Sequence, residues 1–317
     1  MTQFEDDCMD AGGRAKHGAV ADDCMDAGAK TEEDCYLGQF IPLQYHHHML
    51  MDDYRMSTFK AAIDQAVFPG AKVLDLGGGT GVMSWFASAK ASKVWCVEFN
   101  PDLVREARRL LKLNQGGEKV ELVHADAFKY LPPEPVDVVI CEMLHPAMLC
   151  EKQVNVIKSF KERYLQRFGG PLPHFIPEAV LMAVQPLQQN HQFMGFTAPI
   201  MQFQVPGAVQ TDTLEFASPQ VYSAVDYTQT VSEEFSWKGL FVLEQAGQVN
   251  ALRFITKNIL SISTTDSSVI DWHNLYLLLP LVEPIHATPG DLLQVSFNYR
   301  AGGSLTHLQN SISVALG

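Results

Sequence analysis

The sequence predicts an α/β fold, a Rossmann-like doubly wound parallel sheet followed by a β-rich domain of barrel or sandwich type. Three observations predict it. Short apolar runs at Lys72–Leu76, Val94–Val97, Val120–Val123 and Val136–Ile140 alternate with helical stretches, as buried parallel strands and their crossover helices do. A glycine-rich turn, Gly77-Gly78-Gly79-Thr80-Gly81, follows the first run. Beyond Pro173 the period drops to two: Leu293, Val295, Phe297 and Tyr299 alternate with Gln294, Ser296, Asn298 and Arg300, as in half-buried strands.

Taken in order, the first 35 residues stand apart. Asp-Asp-Cys-Met-Asp-Ala-Gly occurs at Asp6–Gly12 and again at Asp22–Gly28, and Glu-Asp-Cys follows at Glu33–Cys35. Small and acidic residues bury little surface, so residues 1–35 read as a flexible acidic tail. The sharper alternative is a metal or redox site at Cys8, Cys24 and Cys35, but their spacing fits no metal motif. Residues 36–172 hold the doubly wound sheet. Within them, Pro101–Leu113 reads as a helix, with proline at its start and an apolar stripe at Leu103, Val104, Ala107, Leu110 and Leu111. The Gly169-Gly170-Pro171-Leu172-Pro173 punctuation marks a boundary. Residues 173–317 supply further strands at Val180–Val184, Leu240–Leu243 and Ala251–Ile255.

The 317 residues are 47% hydrophobic and 19% charged, which is globular. The formal charge of −13 argues against a nucleic-acid footprint and favours cationic partners. No apolar stretch is long enough to span a bilayer. The acidic N-terminus lacks the basic-then-apolar pattern of a secretory signal, so the six cysteines are expected reduced, in the cytoplasm.

The glycine turn lets the backbone approach a ligand closely. Asp75 precedes it and Glu98 closes the next strand, where a carboxylate can accept both hydroxyl protons of a ribose. The turn lacks Gly-x-Gly-x-x-Gly spacing, and no Lys-Ser or Lys-Thr follows, which disfavours a pyrophosphate or triphosphate. Asp126 closes the third strand, either as a helix cap or beside an adenine with the Ala127 amide at the ring. Three acidic strand ends around one glycine turn point to a class I methyltransferase with S-adenosylmethionine as cofactor.

After the fourth strand, Glu142 and Glu151 flank a loop in which His145 is the one side chain that can carry a positive charge. Two carboxylates can grip a guanidinium, because its fork of donors matches carboxylate geometry.

These residues resemble the protein arginine methyltransferases. Glu142 and Glu151 match their double-glutamate loop in separation; Asp75, Gly77, Gly79 and Gly81 match their glycine motif, and Glu98 their ribose-binding glutamate. His46 to Arg55 resembles their His-x-x-Met-Leu-x-Asp-x-x-Arg segment. The resemblance implies Arg55 as partner of the cofactor carboxylate, with His46 and Met49 as neighbours; His47 and His48 read as surface residues. It places Tyr36 and Phe40 on the family's Tyr-Phe-x-x-Tyr helix, and Asp271-Trp272 on its Thr-His-Trp loop. Glu142, Glu151 and Trp272 are then catalytic, with Tyr36 and Asp271 also at the substrate.

Three departures follow. Asp271 stands where the family has His, so a His–Asp contact to Asp52 is lost. The loop interior, Met143-Leu144-His145-Pro146, resembles the monomethylating branch, with His145 in place of an acid. Gln185–Thr213 is short for the family's dimerisation arm, which leaves a homodimer open. The resulting expectation is N-methylation of arginine in a protein or peptide. The alternatives are a methyltransferase of free arginine or another small guanidine, and a catalytically lapsed interaction protein.

Overall fold

The order of the strands places the functional loops. In the computed structural model, which describes residues 41, 43–265 and 267–317, a five-stranded parallel sheet comes first. Its strands are β1 (Lys72–Leu76), β2 (Lys93–Glu98), β3 (Val120–His124), β4 (Val138–Cys141) and β5 (His174–Ile176), in spatial order β3-β2-β1-β4-β5. The chain winds outward from β1 through β2 to β3, then returns to pair β4 with the other side of β1. That reversal opens a crevice at the carboxyl ends of β1 and β4, where ligands bind in such sheets. The strands form where the apolar runs predict: β4 is buried throughout, and β1 and β2 are buried but for their first residues.

Helices α1 (Leu43–Leu50) and α2 (Asp53–Ala66) precede the sheet, and α3 (Val82–Ser88), α4 (Pro101–Leu113) and α5 (Gln153–Phe168) follow β1, β2 and β4. In α4, Asn100 caps the first turn by accepting the Asp102 amide proton at 2.9 Å. Four of the five stripe residues are buried and Leu110 is half-buried. The glycines at 169 and 170 do not separate two regions. Gly169 terminates α5 with a φ of 62°, and the parallel sheet takes its last strand beyond Pro173. The punctuation is a helix stop inside the first region, which has the same local chemistry as a linker.

The rest is antiparallel. A seven-stranded sheet contains β6 (Ala179–Gln189), β9 (Gln202–Gln204), β10 (Thr213–Glu215), β11 (Gln220–Asp226), β13 (Gly247–Ser263), β14 (Ser268–His273) and β15 (Tyr276–Ala287). β7 (Gln192–Phe193) and β8 (Phe196–Thr197) form a small hairpin; β12 (Glu234–Val242), β16 (Leu292–Arg300) and β17 (Ser313–Leu316) form a third sheet. On β16, Leu293, Val295, Phe297 and Tyr299 are all buried, as the alternation predicts. One continuous apolar cluster runs from Phe59, Val73 and Ile140 to Phe254, Leu277 and Phe297, so the parallel sheet and the β-rich region share a core. The Asp-Asp-Cys tail with Cys8, Cys24 and Cys35, and also Tyr36 and Phe40, lie outside the described residues.

Candidate active site

The crevice is floored by the glycine turn. Gly79 has a φ of 53°, and a Cβ there would lie 2.9 Å from the His46 ring, so only glycine lets α1 close over the turn. Gly77 lies under Met143, and Gly81 caps α3 from a left-handed conformation. Asp75 supports the turn from beneath. It is 2% exposed and accepts the Ser84 hydroxyl proton at 2.7 Å. Burial pushes its carboxyl up to about 7, opposed by the Ser84 hydrogen bonds.

Glu98 ends β2 facing the turn. One oxygen accepts the Gly79 amide proton at 2.9 Å and the other that of Asn100 at 2.7 Å. Each oxygen keeps a lone pair for a further donor, such as a ribose hydroxyl. Asp126 lies two residues past β3 and spends its side chain on the Phe128 amide, 2.9 Å, and on Lys129, 3.3 Å. That is the local turn role; Ala127 follows, half-buried.

From the other side come α1 and α2. His46 and Met49 are the inward-leaning residues of α1, three apart and so on one face, while His47 and His48 are exposed. The buried Nε2 of His46 has no hydrogen-bond partner among the described residues. Burial and the neighbouring Arg55 hold its pKa below the usual histidine range, so the ring is neutral. Asp52 caps α2 by accepting the Arg55 amide proton at 2.9 Å. Arg55 is 7% exposed, and its guanidinium is bonded through one Nη to the Glu142 carboxylate. Its Nε is buried without a partner, and its Cζ lies 5.8 Å from the centre of the Trp272 ring. Trp272 packs edge-on against Phe59.

Glu142 follows β4 directly, its side chain 15% exposed. Burial raises its pKa, and Arg55 pulls it down. Glu151 is pushed up to about 8, first by burial and then by the Glu142 charge, against the opposing pull of Arg55. Arg55 pulls on both carboxyls, and burial raises both. The Glu151 carboxylate has no hydrogen-bond partner among the described residues.

The loop between the glutamates is strained. Ala147, Met148 and Cys150 have φ values of 56°, 56° and 58°, a region costing on the order of 1–2 kcal/mol for each L residue. Polar groups from several elements hold it. Gln153 on α5 accepts the Met143 amide proton at 2.9 Å and donates to the Cys141 carbonyl at 2.6 Å. Asn274 donates to the Leu144 carbonyl at 2.9 Å, and Thr256 accepts the Ala147 amide proton at 2.7 Å. The Gly302 amide donates to Met148 and the Cys150 amide to Gly303. His145 lies 3.0 Å through Nδ1 from the Pro146 carbonyl and meets the Phe203 ring edge-on. A carbonyl can only accept, so Nδ1 carries the proton. Burial lowers the His145 pKa.

The structure thus brings His46, Arg55, Gly77, Gly79, Glu98, Glu142, Glu151 and Trp272 to one crevice. Asp271 is not among them. On β14 it pairs in register with Ile259 while Trp272 pairs with Asn258, so the two side chains leave opposite faces of the sheet. Asp271 instead reaches Lys257 at 3.1 Å and His273 at 3.6 Å. A motif match between adjacent residues does not fix which strand face each one takes, and this strand turns its Trp inward and its Asp outward. Gln153, Thr256 and Asn274, which hold the loop between the glutamates, are residues that the sequence did not point to. Gln153 left a faint signal, a polar residue opening an apolar helix just after Glu151. Thr256 and Asn274 left none.

A family model described as a methyltransferase domain matches residues 73–164, from β1 into α5. An uncharacterized protein of Methanocaldococcus jannaschii is 29% identical over 275 residues, 86% of this chain and 97% of that protein. Protein arginine N-methyltransferase 6 of Danio rerio is 32% identical over 146 residues, 45% of this chain and 42% of that protein. The chain thus spans less than half the length of that arginine methyltransferase. Among solved structures, the Trypanosoma brucei PRMT1 enzyme–prozyme heterotetrameric complex with AdoHcy matches with a TM-score of 0.67 at 16% identity. The match covers 87% of this chain and 98% of that one, so the likeness in fold extends through the β-rich region. Arabidopsis thaliana protein arginine methyltransferase 10 matches with a TM-score of 0.67 at 19% identity, over 82% of this chain and 88% of that one. Among the described residues no helix is long and apolar enough to cross a membrane.

Proposed function

We propose that the chain is a divergent member of the protein arginine methyltransferase family, a class I enzyme that uses S-adenosylmethionine, and that it methylates the guanidino group of arginine in a protein or peptide. One observation carries the proposal: burial and the Glu142 charge raise Glu151 to about 8 even against the pull of Arg55. Two carboxylates buried beside a single guanidinium are costly, and a second cation that brings its own hydrogen bonds offsets that cost. Arginine does so with a planar fork of donors. Arg55, a guanidinium of the chain itself, already bonds Glu142.

The residues fit the cofactor. The unpartnered Arg55 Nε and His46 Nε2 are placed to hold an amino-acid carboxylate and its neighbours. Glu98 offers the two lone pairs that a ribose diol needs, and the Ala127 amide is left for the adenine ring. Bound there, S-adenosylmethionine supplies an electrophilic methyl group on a sulfonium.

The chain's own residues prepare the nucleophile. Arginine enters as a delocalised cation. Glu142 and Glu151 draw the positive charge onto the nitrogens they bind, which leaves lone-pair density on the remaining nitrogen. Glu151 gives up its own proton as the guanidinium binds. The new C–N bond would form as the methyl–sulfur bond breaks with its electron pair left on sulfur, and the proton of the substrate nitrogen would pass to solvent afterwards, so no strong base is needed. Orientation can supply up to about 7–11 kcal/mol of such a barrier. The neutral His145, where the monomethylating branch has an acid, supports monomethylarginine as the final product.

The test is turnover of labelled cofactor with an arginine-rich peptide and, separately, with free arginine. Peptide labelling supports the proposal. Labelling of free arginine alone replaces it with a small-guanidine methyltransferase, and cofactor binding with no transfer to either replaces it with a lapsed enzyme. Mass spectrometry of exhaustively treated peptide checks the product, and abundant dimethylarginine refutes monomethylation.

A further inference from the structure

We propose that Thr256 and Asn274, neither of which faces the crevice, are positioning residues that set the geometry of the glutamate pair through the backbone between them. The inference rests on Glu142 and Glu151 being the guanidinium-binding pair.

An eight-residue segment separates the two glutamates, and fully extended it would carry them roughly 30 Å apart. They share one site because the backbone doubles back through left-handed conformations at Ala147, Met148 and Cys150. None of these is glycine, so the loop has no intrinsic preference for that path. Something outside the loop must select it.

Thr256 and Asn274 act at the two places that matter. The Thr256 hydroxyl takes the amide proton of Ala147, the first left-handed residue, from 109 residues away. Asn274 anchors the Leu144 carbonyl, two residues past Glu142, from 130 residues away. Thr256 is 0% exposed and Asn274 3%, so neither has a route to substrate. The anchors are themselves tied together. The Asn274 amide donates to the Thr256 carbonyl at 3.1 Å. Asn258, one turn of the pleat from Thr256 on the same face of β13, donates to Asn274 Oδ1 at 2.7 Å and to the Trp272 carbonyl at 3.3 Å. Trp272 in turn lies over Arg55, the partner of Glu142. One buried polar chain on β13 and the β14–β15 turn therefore governs the loop carrying both glutamates and the aromatic wall behind Arg55. A chain of this kind transmits geometry, because each buried member is costly to leave unpaired.

The test compares Thr256→Val, which keeps shape and deletes the hydroxyl, with Thr256→Ser, which keeps the hydroxyl. Asn274→Leu and the pair Glu142→Gln and Glu151→Gln are run alongside, all as the full chain with labelled S-adenosylmethionine and the arginine-rich peptide. The expected result is a fall in kcat of tenfold or more for Thr256→Val and Asn274→Leu, while the cofactor Kd stays within twofold. Thr256→Ser should recover most of the rate. Unchanged kcat in folded Thr256→Val and Asn274→Leu overturns the proposal, as does a Thr256→Ser variant as slow as Thr256→Val, which would mean packing alone. If Thr256→Val does not fold, Asn274→Leu and Thr256→Ser decide by the same readouts. Full activity in both glutamine variants overturns the glutamate-pair reading, and the positioning proposal with it. Loss in the glutamine variants beside a normal Thr256→Val overturns the positioning proposal alone.

Discussion

Two loops stand side by side at the ends of β1 and β4, and they are built on opposite plans. The glycine turn after β1 takes left-handed conformations at Gly77, Gly79 and Gly81, where glycine bears no steric cost. Its supports, Asp75, Ser84 and Glu98, all lie within a short stretch of the same chain. The loop after β4 takes left-handed conformations at Ala147, Met148 and Cys150, and its supports come from α5, β13, the β14–β15 turn and Gly302–Gly303. The glycine turn is thus supported locally. The substrate side takes its shape only when the β-rich region has packed against the parallel sheet. Cofactor binding and methyl transfer should accordingly be separable by mutation.

The largest effect expected is on chemistry. Glu142→Gln and Glu151→Gln keep shape and remove charge, so methyl transfer should fall on the order of a hundredfold or more while cofactor binding survives. Steady-state rates beside calorimetry check this. A parallel loss of cofactor affinity would show the two loops to be one unit.

On the other side of the comparison, Glu98→Ala should weaken S-adenosylmethionine binding by about tenfold or more, since a charge-assisted acceptor is lost. Calorimetry on the folded variant that finds unchanged affinity removes the ribose assignment.

The pH dependence sharpens the contrast further. Glu151 ionises near 4.5 when unfolded and near 8 in the fold. A carboxyl raised in this way contributes stability that is full below pH 4.5 and lost as pH rises toward 8. Asp75, raised from 3.8 to about 7, acts in the same direction over an overlapping range. The cofactor-free protein should therefore melt at progressively lower temperature from pH 4.5 to 8. Glu151→Gln should flatten part of that decline and melt higher than the wild type at pH 8. A steeper decline in Glu151→Gln contradicts the assignment of a raised, unpaired carboxyl.

The smallest effect concerns strain. Ala147→Gly removes a steric cost at a φ of 56° but loosens the unfolded chain and deletes a buried methyl group. These oppose one another, so thermal stability should change by less than about 1 kcal/mol, while kcat falls because the loop has more paths open to it. Calorimetric melting beside turnover checks both halves.

Much of this protein could be read from its sequence because the relevant physics is local. Apolar runs of strand length, the Asn100-Pro101 helix start and the alternation on β16 each depend on neighbouring residues, and each appears in the structure where the pattern places it. The glycine turn and the acidic ends of β1 and β2 are legible for the same reason. Tertiary structure decided what depends on partners distant in the chain or on which face of a strand is turned inward. It set Asp271 outward and Trp272 inward on one strand, made Gly169 a helix stop rather than a domain linker, and buried Thr256 and Asn274 against the Glu142–Glu151 loop. A threonine or asparagine on a strand looks the same in sequence whether it faces water or holds a strained backbone. Only the packing of the β-rich region onto the end of β4 tells the two apart.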